Sequence, residues 1–241
     1  MSVEHFSVSQ LKTYIKSKQQ WSGKYILWFQ DTYKPDAREL WVMFHKRAED
    51  VDWSTDEILQ EKIAKKCIST LKKKYDADFV IRAKEPFEIL RQHFSYYDDS
   101  GITQREKKLV ENFETPSWKT IGFVWYIDAI HKDWYLVDYK SVTYLTKMWD
   151  TNIPMRAWMP VWKEYEMQAW LYMMFTGLKE ARFVEFLKKD YKKYWPEQWH
   201  QILKFKRSAK RHKDMLRDFM PIIEEMVAHY ERFEVVIDNY R

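Results

Sequence analysis

Short apolar segments in the middle of the chain alternate with polar turns. Thr120 to Ile130 and Tyr135 to Tyr139 are rich in valine, isoleucine and aromatic residues, and a turn around Lys132–Trp134 separates them. This spacing predicts a β-hairpin. A strand from about Asn112 is predicted before the hairpin, and Ala181 to Leu187 is predicted to return to the same sheet.

Apolar residues at helical spacing lie on both sides of this sheet. Ser7-x-x-Gln10 resembles a capping box and precedes Leu11, Tyr14 and Ile15, which predicts an opening helix. Further helices are predicted over 36–50, 55–74, 103–112, about 161–175 ending before Gly177, and 209–232, broken or bent near Pro221. We therefore expect an α/β fold of the α+β type, with a small mixed central sheet flanked by helices, in one domain spanning 1–241.

The hairpin carries two aspartates and a lysine at the ends of its strands. Because side chains alternate faces along a strand, Asp138 and Lys140 point the same way and Tyr139 points the opposite way. If strand pairing brings Asp128 to the same edge, two carboxylates and an ammonium converge. Mg²⁺ favours such a site, since it takes one or two carboxylates plus water and phosphate oxygens. The alternative is a solvated Asp-x-Lys ion pair of little consequence.

Four motifs, in order along the chain, resemble the PD-(D/E)XK nuclease superfamily, in particular its RecB-like and RecE-like phage exonuclease branch. Residues 122–141 are similar to the family's core, in which glycine-x-x-aspartate is followed about ten residues later by hydrophobic-Asp-Tyr-Lys-Ser; here Asp128 is the aspartate and Trp125 stands at the glycine position. Phe6 to Tyr14 resembles the family's opening helix, and Lys34 to His45 resembles the helix that delivers a metal-binding histidine. Gln168-x-x-x-Tyr172 resembles the signature of the helix beside the site.

The resemblance implies a restriction-endonuclease-like core, a set of site residues and a cofactor. The implied catalytic residues are Asp128, Asp138, Lys140, Gln168 and Tyr172, and the implied metal ligands are His45, Asp128, Asp138 and the carbonyl of Tyr139. The cofactor would be Mg²⁺ or Mn²⁺ and the substrate DNA. Relatives of this kind are phage or prophage exonucleases that act in recombination, often as homo-oligomeric rings beside a single-strand annealing protein.

Two of these motifs also have a purely structural interpretation. His45 lies among apolar residues of a predicted helix, where a lone histidine is commonly a hydrogen-bonded core or boundary residue. Gln168 and Tyr172 share a helix face with Tyr165 and Met173, and periodicity alone makes that face part of the core.

The charge of the chain permits nucleic-acid binding without requiring it. The formal net charge is +5, and basic residues form two clusters. Lys188 and Lys189 follow the predicted strand 181–187, and Lys206 and Arg207 belong to the second cluster. Either cluster is a candidate for contacting DNA phosphates, which would make binding depend on salt. A solvated helix face is the alternative.

Composition excludes several other classes of protein. No uninterrupted apolar run reaches the 18 residues of a membrane span. The only cysteine, Cys67, excludes an intramolecular disulfide and a four-cysteine iron–sulfur cluster, and its helical context predicts a packing role. No secretory signal is visible at the N-terminus, so we expect a cytoplasmic protein without membrane partners.

Glycine is scarce and tryptophan abundant. The chain has 4 Gly and 13 Trp in 241 residues, whereas about 7% glycine, or roughly 17, is usual. Trp134 stands at the hairpin tip, where Asp-Gly would be favoured, and Trp41 and Trp125 stand where the family has glycine. We hypothesise that many of these tryptophans are encoded by UGA codons that the source organism reads as glycine. The alternative is a genuinely aromatic-rich protein.

These observations predict a Mg²⁺- or Mn²⁺-dependent deoxyribonuclease. Two other functions stay open at this stage. One is a DNA-binding module of the same fold that has lost cleavage, which bulky rings at Trp41 and Trp125 would favour. The other is a structural or partner-binding protein in which Asp-Tyr-Lys is incidental.

Overall fold

The computed structural model describes residues 6–27, 62, 65–66, 69, 72–73, 101–115, 120–142, 145, 159–187 and 200–239. In chain order the elements are α1 (Val8–Lys16), α2 (Lys18–Tyr25), β1 (Ile102–Glu114), β2 (Thr120–His131), β3 (Tyr135–Val142), α3 (Met159–Thr176), β4 (Glu180–Leu187), β5 (His200–Lys206) and α4 (Ala209–Asn239). The predicted helix 36–50 lies outside the described residues, as do Cys67, His45, Lys188 and Lys189. The described residues of the predicted helix 55–74 are helical.

The five described strands form one sheet in the order β1-β2-β3-β4-β5. Strands β3 and β4 are parallel, and the other neighbouring pairs are antiparallel. Because parallel neighbours need a crossover connection, α3 lies between β3 and β4 in the chain. The predicted α/β fold with a mixed central sheet flanked by helices is therefore confirmed.

Helices α1, α3 and α4 pack on one face of the sheet and form the main core. Apolar side chains of β2, β3, β4 and β5 meet those of the helices there, and the buried residues include Leu11, Phe123, Leu136, Leu171, Phe183, Phe205 and Ile223. Phe6 joins the start of α1 to this sheet, because its backbone bonds to Gly122 and Val124 of β2. The N-terminal helix is thus held directly above the strands that carry the acids.

The other face of β3 and β4 is also apolar. Val137, Tyr139, Val184 and Phe186 are buried there, and the rings of Tyr139 and Phe186 stack with centroids 6.1 Å apart. Tyr139 thus points away from Leu136, which belongs to the helical-side core. The predicted alternation about Asp138, Tyr139 and Lys140 is confirmed.

The ends of two predicted helices are confirmed by their caps. Ser7 Oγ accepts the N–H of Gln10 at 3.2 Å and starts α1. Gly177 follows α3 with a backbone φ of +73° and donates its N–H to the carbonyl of Met173 at 3.1 Å. This left-handed conformation is the one that glycine adopts without strain.

The predicted helix 103–112 is wrong, since these residues belong to β1, which pairs with β2 along almost its whole length. The capping signal Thr103-x-x-Glu106 is local, and tertiary strand pairing overrides it.

Two further elements differ from the predictions. Strand β5 was not predicted, although Leu203 and Phe205 are buried and alternate with exposed Lys204 and Lys206, the pattern of a half-buried strand. Helix α4 is one element that continues through Pro221, so the predicted break is wrong, and it ends at Asn239 rather than at 232; the predicted bend stays a prediction.

The turn between β2 and β3 places a tryptophan in an unusual backbone conformation. Trp134 has a φ of +61°, and the residue is 75% exposed. In the described part of the chain it is the one residue other than glycine with a positive φ. No helix among the described residues is both long and apolar enough to cross a bilayer.

Candidate active site

Asp128 lies where β2 and β3 separate. The two strands pair at Ala129 with Val137 and at Ile130 with Leu136. One step beyond, the carboxylate of Asp128 accepts the N–H of Tyr139 through Oδ2 at 2.7 Å. The Asp128 side chain thus accepts a backbone N–H that a strand carbonyl would otherwise accept. This bond holds one carboxylate oxygen of Asp128 beside the backbone of Tyr139, the residue that follows Asp138.

Asp138 and Lys140 form an ion pair on the helical side of β3. Lys140 Nζ is 2.5 Å from Asp138 Oδ2. Asp138 is only 3% exposed, whereas one fifth of the Lys140 side chain reaches solvent. The Nζ of Lys140 lies over the ring of Phe183, 5.4 Å from its centroid. The ion pair is therefore largely buried and differs from the solvated pair considered above.

Gln168 of α3 holds the other oxygen of Asp138, and Tyr172 of the same helix supports the Gln168 amide. Gln168 Nε2 donates to Asp138 Oδ1 at 2.8 Å and to Tyr172 Oη at 2.6 Å. Tyr172 Oη lies 3.3 Å from the carbonyl of Tyr126, to which it donates. Burial, followed by the charges of Asp138 and Asp128, raises the pKa of Tyr172, so its hydroxyl stays protonated. The two side chains belong to the acid cluster as well as to the core.

Lys12 of α1 completes this polar network. Its Nζ donates to Gln168 Oε1 at 2.7 Å, across 156 residues of sequence. Burial, with Lys140 as the second cause, lowers the pKa of Lys12 to about 8. Lys12 is therefore mostly charged at neutral pH, and the cluster contains two ammonium groups beside its two carboxylates.

Besides Asp138, a further carboxylate lies next to Lys140 in the sheet, that of Glu185 on strand β4. It pairs with Lys140 in the parallel register and is 1% exposed. Gln201 Nε2 donates to its Oε2 at 2.5 Å, and the hydroxyl of Tyr165 also bonds to it. Burial and then Glu185 raise the pKa of Tyr165. This network borders the cluster from β4, β5 and α3.

The structure brings together Asp128, Asp138, Lys140, Gln168, Tyr172 and the backbone of Tyr139. It does not bring Lys206 and Arg207 to the carboxylates. Lys206 pairs with Glu180 at the start of β4, whereas Lys140 pairs with Glu185 near its end. Five residues of extended chain span about 17 Å, so the predicted DNA contact at Lys206 and Arg207 would lie well away from the acids.

Sequence reasoning missed Lys12, Glu185 and Tyr165. A charged residue inside the apolar run Ala181–Leu187 was a usable signal for Glu185, because a buried carboxylate needs hydrogen-bond or charge partners. Lys12 gave no such signal, since a lysine on an amphipathic helix is ordinary and its partner is distant in sequence.

The donor set suits a hard divalent cation but is incomplete within the described residues. Asp128 and Asp138 supply carboxylate oxygens, and a backbone carbonyl comes from Tyr139, which follows Asp138 in the chain and donates its N–H to Asp128. Among the residues that the structure describes, no group of three or more His, Cys, Asp and Glu side chains is close enough to hold a metal ion. Mg²⁺ needs only one or two carboxylates when water and phosphate complete its shell, so these residues fit the ion.

The lowered pKa of Lys12 predicts a specific pH dependence of stability. Between about pH 8 and 10.5 the folded chain has lost this proton while the unfolded chain retains it. Stability rises with pH where the unfolded state binds more protons. Wild-type protein is therefore expected to gain urea resistance from pH 7.5 to 9.5 relative to Lys12→Met, and equal pH trends in the two proteins would contradict this burial.

Comparison with known proteins gives the fold but no family. No protein-family model matches the chain, and no curated protein matches it. Among solved structures, one named as a candidate exonuclease from Eubacterium rectale is 13% identical with a TM-score of 0.58, covering 95% of this chain and 82% of its own. LHK-Exo, an alkaline exonuclease from Laribacter hongkongensis solved in complex with dAMP, is 15% identical with a TM-score of 0.40, covering 82% of this chain and 93% of its own.

At these identities the likeness concerns the fold alone. The Eubacterium rectale structure has the higher TM-score of the two, and the alignment extends over nearly the whole of this chain. The chain therefore has a mixed α/β fold similar to that of the Eubacterium rectale protein.

Proposed function

We propose that this protein is a divalent-metal-dependent deoxyribonuclease of the RecB-like and RecE-like branch of the PD-(D/E)XK nucleases. The observation that carries the proposal is the cluster of Asp128, Asp138 and Lys140 on β2 and β3. Its geometry is that of two carboxylates fixed by hydrogen bonds, with an ammonium beside one of them. Burying such charges costs free energy, and a phosphodiester-cleaving site is a chemical use for them.

Asp128 and Asp138 would hold Mg²⁺ or Mn²⁺ together with the carbonyl of Tyr139. His45, which lies outside the described residues, is proposed as a further ligand. When bound, the metal polarises the phosphate and lowers the pKa of a coordinated water.

The protein's own groups supply position and charge. Gln168 donates to Oδ1 of Asp138 and to the hydroxyl of Tyr172, so that the carboxylate presents Oδ2 in one orientation. Lys140 lies at that oxygen and would orient the attacking water and offset negative charge as the phosphate reacts. The bond between water oxygen and phosphorus forms as the bond from phosphorus to the sugar oxygen breaks, and a proton passes to the leaving oxygen.

The ring of Trp125 does not point at this cluster. It is buried against Phe175 and Phe123, with centroids 4.2 and 6.4 Å away. The position of the Trp125 ring therefore gives no support to the alternative in which this residue blocks cleavage.

The wider role is proposed from the resemblance alone. Removal of nucleotides from DNA ends during phage or prophage recombination, in the cytoplasm and beside a single-strand annealing protein, fits this branch of nucleases. A homo-oligomeric ring is part of the same proposal. The Eubacterium rectale structure is named as a candidate exonuclease, which supports attack at strand ends.

End-labelled linear DNA tests the function. Wild-type protein is expected to release label with Mg²⁺ or Mn²⁺ and to release none with EDTA. A covalently closed circle of the same sequence should persist if the protein is an exonuclease. Binding without cleavage under all metal conditions would favour the DNA-binding module, and neither binding nor cleavage would refute both.

A further inference from the structure

Lys12 is a partly buried cation whose position the fold does not explain. Its partner is the neutral amide of Gln168, and an ammonium has three protons to donate. In the described part of the chain no carboxylate lies within ion-pair distance of it. An apolar side chain would fill the same space without the desolvation cost.

The surroundings of Lys12 point to an anion. Lys12 and Lys140 lie on the two sides of the unit formed by Gln168 and Asp138. Lys12 and Lys140 offset two of the three negative charges of Asp128, Asp138 and Glu185, so a bound divalent cation would leave the group with one net positive charge. A nucleic-acid strand carries one negative charge for each phosphate and would offset that excess.

We propose that Lys12 binds a backbone phosphate of the DNA strand held in the active site. The proposal rests on the deoxyribonuclease function and adds a contact from α1, an element that supplies none of the metal ligands. Lys12 would donate to the phosphate while keeping its bond to Gln168. Binding of the DNA strand would thereby be coupled to Gln168, whose amide orients Asp138.

Lysine variants on α1 separate this role from a structural one. Binding of a fluorescein-labelled linear duplex is measured by anisotropy without divalent ions, and cleavage is measured with Mg²⁺. Lys12→Met is expected to weaken binding about tenfold at moderate salt and to reduce the salt slope by about one. Lys12→Arg should keep the slope. Lys16→Met, an exposed lysine one helical turn away, should match wild type.

Two outcomes would overturn the proposal. In one, Lys12→Met binds DNA with the affinity and salt slope of Lys16→Met. In the other, only kcat falls, which would mean that Lys12 acts solely by holding Gln168. If wild type binds DNA but never cleaves it, the nuclease function fails, while a reduced slope in Lys12→Met still supports the phosphate contact. If wild type does not bind DNA, both proposals fall.

A second inference rests on a different observation, the backbone of Trp134. A bulky residue at φ +61 is a genuine outlier, and the ring at this turn is exposed, so packing does not compensate for the strain. The other described residue with positive φ is a glycine, Gly177. Two buried tryptophans, Trp21 and Trp125, have no described partner for their indole N–H, although buried tryptophans usually find one.

We infer that position 134 is glycine in the protein made by the source organism, and that some of the other tryptophan positions are glycine there as well. A UGA codon read as glycine in that organism and as tryptophan under the standard code explains the count of 4 Gly and 13 Trp. Peptide mass spectrometry of protein from the source organism is expected to show glycine after Asp133. Tryptophan in that peptide would overturn the inference.

A recombinant variant tests the physical basis. Trp134→Gly is expected to raise the melting temperature by about 2–4 °C, the change expected from relieving one strained residue in a chain of this length. Asp133→Gly, at the neighbouring turn residue without positive φ, should lower the melting temperature or leave it unchanged. A lower melting temperature for Trp134→Gly would show that the ring stabilises the turn.

Discussion

Asp138→Asn is expected to reduce metal-dependent DNA cleavage by about a thousandfold or more, equivalent to about 4 kcal/mol of transition-state stabilisation. The substitution removes the negative charge that would hold the metal while keeping the size of the side chain. The amide oxygen still accepts from Gln168 Nε2, the bond that Asp138 Oδ1 makes. The fold should therefore survive, as circular dichroism would show, with a lower melting temperature because Lys140 loses its charged partner.

Asp133→Asn is the matched control for Asp138→Asn. Asp133 lies in the turn of the same hairpin and is largely exposed. The control makes the same change of charge and size without touching the cluster, so it is expected to cleave like wild type. Equal activity of the two variants would remove Asp138 from the reaction and with it the basis of the proposed nuclease.

Lys140→Met is expected to lower both activity and stability. Removing one partner of a buried ion pair costs about 3–5 kcal/mol, and the partial exposure of Lys140 reduces that to about 1–3 kcal/mol. Cleavage should fall by at least about a hundredfold, because the charge beside the reacting phosphate is lost. Urea unfolding and initial cleavage rates measure the two effects. Lys204→Met, an exposed lysine of β5, is the strand control.

The double variant separates the two effects of Lys140. In Asp138→Asn/Lys140→Met no unpaired carboxylate remains at position 138, so the unfolding free energy should recover relative to Lys140→Met alone. The changes in unfolding free energy caused by substituting the two partners of one ion pair are not additive. Activity should stay absent. A double variant whose destabilisation equals the sum of the single variants would show that the pair does not couple.

Local patterns in the sequence predicted most of the site-bearing elements. Two apolar runs around a short turn were enough for the β2–β3 hairpin, because a strand's period of two also fixes the shared face of Asp138 and Lys140. Ser7 and Gly177 marked helix ends through hydrogen bonds that involve only neighbouring residues. Such features depend on a few consecutive residues, so one sequence contains them.

Local patterns failed where pairing was distant. Residues 103–112 contain a helix-capping sequence signal and many charges, yet they belong to β1 because β2 offers a long run of backbone hydrogen-bond partners. Periodicity alone placed Gln168 and Tyr172 in a core stripe, and only the resemblance to a nuclease family suggested contact with Asp138. His45, Lys188 and Lys189 stay predictions, since they lie outside the described residues.

The sequence by itself determined which residues carry charge and which strands present them on a common face. Tertiary structure alone decided that Lys12, 156 residues from Gln168, shares its amide with Asp138, and that Glu185 borders Lys140. The physical reason is that alternation and capping act over a few residues, whereas contacts between buried charges depend on how helices and strands from distant parts of the chain pack together.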